Sequence, residues 1–156
     1  MKKINLEIVL YEAEIPWNTG NIGRLCVANS LNLHLVKPLG FSLEDKFLKR
    51  AGLDYWQFIN LKIHENWQAL KDFLGQNKNY YFFSKKAEKV FWDADFKEGD
   101  ILVFGPETRG LPDYILEEHK ENCLSIPILN SSTVRSLNLS SSVSIAVYEA
   151  MRKILD

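Results

Sequence analysis

The sequence predicts an α/β fold, a mostly parallel sheet flanked by helices. Three observations predict it. Two short apolar runs, Tyr80–Phe83 and Ile101–Phe104, lack polar alternation, as strands do when both their faces are covered. Segments with apolar residues at helical spacing fall between the strand-like runs, the order expected of βαβ units. Loops bearing glycine, amides, hydroxyls and arginine follow strand-like runs, and open α/β sheets bind ligands beyond the carboxyl ends of their strands.

Residues 4–11 alternate, with Ile4, Leu6, Ile8 and Leu10 on one side, and predict a strand. Residues 12–20, with Pro16, predict a loop. Ile22, Leu25, Cys26 and Ala28 suit a short helix over 21–31, and 32–38 reads as a second strand. Residues 43–51 read as a helix that gathers Lys46, Lys49 and Arg50 on one side. Trp67, Leu70, Phe73 and Leu74 give a helix over 66–74. After the two buried runs come a short helix over 112–118 and a short strand over 124–128. The last helix spans 138–155, with the stripe Leu139, Val143, Ala146, Val147, Ala150 and Ile154. No repeat, linker or low-complexity stretch interrupts the 156 residues, so one domain over 1–156 is expected, long enough to fold without disulfide or metal.

Apolar residues make up 46%, charged residues 25%, and the formal charge is −1. That balance does not advertise a nucleic-acid binder. Its distribution is uneven, however: Lys85, Lys86 and Lys89 form a second basic cluster, while Glu117, Glu118 and Glu121 collect elsewhere. Each basic cluster is either a solvated face or a phosphate-tracking patch. Cys26 and Cys123 form no CxxC pair and sit among apolar neighbours. They read as buried small hydrophobes in a reducing compartment, with no zinc. Met1-Lys2-Lys3 leads into alternation rather than a signal-peptide core, and no run is long enough to span a bilayer. A cytoplasmic protein is expected.

Three loops carry the chemistry. The first is Asn18-Thr19-Gly20-Asn21-Ile22-Gly23-Arg24. It reads as a capped helix start, or as a phosphate site to which Arg24 adds charge at a helix N-terminus. The second runs from Phe104 through Gly105, Pro106, Glu107, Thr108, Arg109 and Gly110 to Pro112. A plain turn does not require Glu107, Thr108 and Arg109 between two glycines. The third is Arg135-Ser136-Leu137-Asn138-Leu139-Ser140, where Ser136 or Asn138 can cap the last helix. Glycine permits close approach, amides and hydroxyls bond without charge, and arginine grips phosphate. Together they suggest a site for a nucleotide-like ligand beside something anionic. No GxxxxGK[ST], GxGxxG or GxSxG motif is present, which disfavours standard nucleotide triphosphatases, dinucleotide oxidoreductases and serine hydrolases. His34 reads as structural, His64 and His119 as surface residues.

In order, these loops resemble the SPOUT class of RNA methyltransferases. The chain is most similar to the short YibK/TrmL type, which methylates the 2′-hydroxyl of the tRNA wobble nucleotide. The likeness also covers Ile8-Val9-Leu10-Tyr11-Glu12, Ile15-Pro16, Pro38-Leu39-Gly40-Phe41, Gly52-Leu53-Asp54-Tyr55 and Ile126-Pro127. It implies an α/β sheet whose C-terminal segment threads a deep trefoil knot. It implies S-adenosylmethionine as methyl donor, S-adenosylhomocysteine as product, and no metal. The donor would be held by Phe83, Gly105, Ile126, Ser136 and Leu137. The anticodon stem-loop would meet Asn21, Arg50, Arg109 and Arg135. It implies a homodimer built on the final helix, with Tyr148 at or near the interface.

The resemblance makes Arg24 the catalytic residue, sometimes described as a general base. Guanidinium groups keep their proton in proteins, so stabilising charge on the ribose oxygen is the easier physical role. Trp17 stands where the family carries glutamine, and either reshapes the first loop or offers a base-stacking surface. Ala87 replaces a glycine, which predicts a changed backbone after Phe83. Two other readings stand beside this one: a methyltransferase of another tRNA or rRNA position, and a catalytically silent RNA-binding protein that keeps the fold. A nucleotide-binding regulatory domain is a third.

Overall fold

The computed structural model describes residues 1–156, the side chains of residues 52–54 aside. The Gly52-Leu53-Asp54 part of the family-like segment therefore lies outside the described residues. Six strands form one sheet: β1 (Glu7–Tyr11), β2 (Asn32–Val36), β3 (Asn60–His64), β4 (Tyr80–Phe83), β5 (Ile101–Phe104) and β6 (Cys123–Leu124). Their spatial order is β3-β2-β1-β5-β4-β6, and every pairing is parallel. The order turns back between β1 and β5. That is the switch point at which loops diverge and leave a crevice beyond the strand ends.

Alternation along β1 divides the core. Ile8 and Leu10 face α1 (Pro16–Ala28) and α5 (Leu139–Leu155), where Ile22, Cys26, Val143, Ala146, Val147 and Ala150 are buried. Val9 and Tyr11 face the other layer, α3 (Trp67–Leu74) and α4 (Asp113–Glu118), with Trp67, Leu70 and Ile115. The aromatic run of β4 is buried at all four positions, as predicted for a strand covered on both faces. α2 (Lys46–Gly52) and the 3₁₀ turn Leu53–Phe58 pack on α1. Gly23 makes that seat: a Cβ there would lie 2.4 Å from Ile59 Cδ1 and 2.9 Å from Trp56 Cζ3. Both thiols are buried, and burial pushes Cys26 up to about 12.

Several boundaries differ from the sequence expectation. α1 begins at Pro16, so Asn18–Gly20 lie within its first two turns rather than in a loop. β3 was not expected; it is a sheet edge whose Leu61 and Ile63 are only half-buried, too weak an apolar signal in five residues. The strand over 124–128 contracts to Cys123–Leu124 because only these two residues pair with β4. His64 is buried, not a surface residue. Its Nε2 lies 2.9 Å from His34 Nδ1, and His34 Nε2 lies 2.6 Å from Glu7 Oε2. Parallel pairing of β1, β2 and β3 creates this trio, which no local pattern announces. His119 likewise is half-buried, its ring stacked on Phe82 with centroids 4.4 Å apart.

Candidate active site

α1 has no side-chain cap of its own, and its N-cap position is Ile15. The cap comes from the loop after β5. Glu107 accepts hydrogen bonds from the Glu14 N–H (2.8 Å), the Ile15 N–H (2.8 Å) and Asn18 Nδ2 (3.1 Å). An anion at a helix N-terminus satisfies orphan amides and favours the helix dipole. The tie is reciprocal: Glu14 Oε1 accepts from the Thr108 N–H (2.9 Å) and hydroxyl (2.7 Å). Those bonds, the backbone one foremost, hold the Glu14 carboxyl below the usual carboxylate range.

Asn138 extends the tie to the third loop. Its Nδ2 donates to Asn18 Oδ1 at 3.0 Å, and its Oδ1 caps α5 by accepting from the Ser140 N–H at 2.9 Å. Gly105 lets the second loop close on itself, since a Cβ there would sit 2.3 Å from Leu111 N and 2.5 Å from Gly110 C. Gly110 turns with φ of 68°, a conformation glycine adopts freely.

These loops enclose a cavity of about 400 Å³ beyond the carboxyl ends of β4, β5 and β6. Its apolar walls include Phe83, Phe104, Ile126, Leu137 and Leu139. The rings of Phe83 and Phe104 stack with centroids 4.6 Å apart. Lys85, Lys86, Glu107 and Arg109 supply charge, and Asn18, Ser136, Asn138 and Ser142 supply neutral polar groups. The size and the mixture of apolar walls with a few polar groups suit a nucleoside-bearing ligand. Among the described residues, no three His, Cys, Asp or Glu side chains gather as a metal-ligand set.

All five residues expected to hold the methyl donor, Phe83, Gly105, Ile126, Ser136 and Leu137, line this one cavity, and Arg109 joins them. Arg109 is held at 3.1 Å by Glu12, itself in the left-handed region at φ of 51°. Ala87 does not adopt a left-handed backbone. The turn after Phe83 closes instead through the Ala87 N–H donating to the Ser84 carbonyl, and Phe83 keeps its place in the wall. Asn21, Arg24, Arg50, Arg135 and Tyr148 are not part of the lining. Arg24 is exposed on α1, six residues beyond Asn18, with its guanidinium 5.4 Å from the Tyr55 ring centroid. Arg50 is exposed on α2, and Arg135 on the segment before α5. Tyr148 is exposed on α5, its hydroxyl accepting from Asn29 Nδ2 at 3.4 Å.

Sequence reasoning missed the residues that knit the loops: Glu14, Asn18, Glu107 and Asn138 in these roles. One signal was available. A helix that opens Ile15-Pro16 with no capping side chain calls for an acceptor from elsewhere, and Glu107 is the acidic residue of the second loop.

The SpoU rRNA Methylase family model matches residues 5–148. The tRNA (cytidine(34)-2'-O)-methyltransferase of Methylovorus glucosotrophus (strain SIP3-4) is 50% identical over 148 residues, 94% of this chain and 94% of its own. That of Saccharophagus degradans (strain 2-40 / ATCC 43961 / DSM 17024) is 49% identical over 150 residues, again 94% of each. A solved structure concerned with 2-OH methylation of C/U34 on tRNA superimposes with a TM-score of 0.93 at 43% identity, covering 97% of both chains.

Proposed function

The chain belongs to the SpoU rRNA Methylase family, and we propose that it is an S-adenosylmethionine-dependent methyltransferase of the 2′-hydroxyl of the tRNA wobble nucleotide, cytidine or a modified uridine. The observation that carries the reading is the convergence of three sequence-distant loops on one cavity lined by Phe83, Gly105, Ile126, Ser136 and Leu137. Relatives that match along nearly the whole chain are named tRNA (cytidine(34)-2'-O)-methyltransferases, which supports the 2′-hydroxyl of nucleotide 34 as the target.

Bound S-adenosylmethionine supplies an electrophilic methyl group on a sulfonium. The chain's residues do the rest. Phe83, Ile126 and Leu137 wall the pocket and exclude water, and backbone groups at Gly105 and Ile126 read a base edge without charge. Arg24 stabilises negative charge as it develops on the ribose oxygen. Arg109, Arg135 and Arg50 grip phosphates of the anticodon stem-loop, with Asn21 beside them. For Arg109 this means exchanging Glu12 for a phosphate, one anion for another.

The working unit of this reading is a homodimer, with residues 1–156 of each copy forming one methyltransferase domain. Arg24 is absent from the lining of its own chain's cavity, so a second copy would complete the site. Ile145 and Tyr148 leave an apolar strip exposed on α5, suited to that contact. The reading includes a deep trefoil knot threaded by the C-terminal segment, as the family resemblance implies. No helix of the described residues is long and apolar enough to cross a membrane, and the reading places the protein with tRNA in the cytoplasm.

The test is transfer of labelled methyl from S-adenosylmethionine to unmodified tRNA, followed by nucleoside and fragment analysis. Label in a 2′-O-methylated wobble nucleotide is expected. Label on a base, or cofactor binding without transfer to any tRNA, would overturn the proposal.

A further inference from the structure

We propose that Tyr55 is a positioning residue for Arg24: its ring holds the guanidinium in place without neutralising it. The inference rests on the catalytic reading of Arg24 given above.

The geometry is built rather than incidental. Arg24 follows Gly23, and Gly23 is where α1 accepts the packed side chains of Trp56 and Ile59. The seat that binds the 3₁₀ turn to α1 therefore sets Tyr55 beside Arg24, at 5.4 Å from ring centroid to guanidinium carbon. Tyr55 remains 43% exposed, so a face of the pair stays open to an incoming ribose. Other arginines of the chain are held differently: Arg109 by Glu12 at 3.1 Å and Arg152 by Glu149 at 2.9 Å. No carboxylate of the described residues forms an ion pair with Arg24.

The choice of partner has chemical consequences. A carboxylate would occupy guanidinium N–H donors and cancel the field needed at a developing oxyanion. An aromatic face attracts the cation through its quadrupole. It uses none of the five N–H donors and adds no opposing charge. Restricting the long side chain in advance also lowers the ordering cost at the transition state. Tyr55 acts through Arg24, so its loss should appear in kcat and not in binding of either substrate.

The experiment compares Tyr55→Phe, Tyr55→Leu and Tyr55→Met with the unaltered chain and with Arg24→Ala. It measures kcat, KM for tRNA, S-adenosylmethionine affinity by calorimetry, and thermal midpoint. Leu and Met should each lower kcat by about two- to five-fold, the range set by an exposed cation–π contact. The KM for tRNA and the cofactor affinity should stay unchanged, and Phe should restore kcat. Wild-type kcat in the two aliphatic variants overturns the proposal when Arg24→Ala is inactive. So does a loss confined to KM, or an equal loss in Tyr55→Phe. An active Arg24→Ala would instead remove the catalytic reading itself, a separate and distinguishable failure.

Discussion

Replacing Glu107 by alanine should damage folding and cofactor binding together. The carboxylate accepts three hydrogen bonds: two from the backbone amides of Glu14 and Ile15, and one from Asn18. Bonds to a charged acceptor contribute about 1.5–3 kcal/mol each when buried. Ile15 is 42% exposed, so water would replace part of that loss, and losing a helix cap by itself costs about 0.5–2 kcal/mol. None of the three bonds is fully buried, so the expected net loss is that of one helix cap plus a partly solvated bond to Asn18, about 2–3 kcal/mol. Glu107→Gln keeps one acceptor oxygen and should lose about half as much. The assay is urea unfolding at one fixed protein concentration, since association shifts apparent stability. Calorimetric titration with S-adenosylmethionine accompanies it, because Asn18 released from Glu107 also loses its place at the cavity wall. An alanine variant within about 0.5 kcal/mol of wild type, the range of ordinary surface substitutions, would refute the claim that this side chain caps α1.

Gly105→Ala should abolish measurable cofactor binding, because its new methyl group meets the backbone of residues 110 and 111 rather than a movable side chain; wild-type affinity in calorimetry would contradict it. Arg109→Ala should reduce the salt slope of tRNA binding by about one, with a titration from low to physiological salt as the measure; an unchanged slope removes Arg109 from the phosphate contacts. Burial first, then the charges of His34 and Lys62, push His64 down to about 4 from 6.5. Its folded value is depressed, so folding favours the neutral ring. The associated stability is present above about 6.5 and lost as pH falls toward 4. Urea midpoints should therefore decline across that window, and less steeply for His64→Asn; parallel profiles would count against the buried pair.

The layers of the fold were legible because burial leaves local marks. Tyr80–Phe83 and Ile101–Phe104 read as covered strands, and the α5 stripe of Val143, Ala146, Val147 and Ala150 is the buried face of that helix. What escaped detection depends on contacts distant in sequence. The start of α1 was misplaced because its cap lies on Glu107, about ninety residues away. His64 was misjudged because only strand pairing reveals His34 beside it. β3 escaped because its five residues offer only Leu61 and Ile63, both half-buried, as apolar signal. At the site, residue types indicated a ligand, and the resemblance named the five cavity residues. The ties among Glu14, Asn18, Glu107 and Asn138 escaped because they join segments about 90 to 120 residues apart, which no sequence window spans.

The bond between Asn138 and Asn18 spans 120 positions, and it has a consequence for biosynthesis. Until residues 107 and 138 have been synthesised, the first helix has no Glu107 or Asn138 to meet, and closing so large a loop is slow relative to local folding. A polypeptide stopped before Asn138 lacks this tie and should hold the methyl donor more weakly than one that includes it, a difference that calorimetric titration would measure.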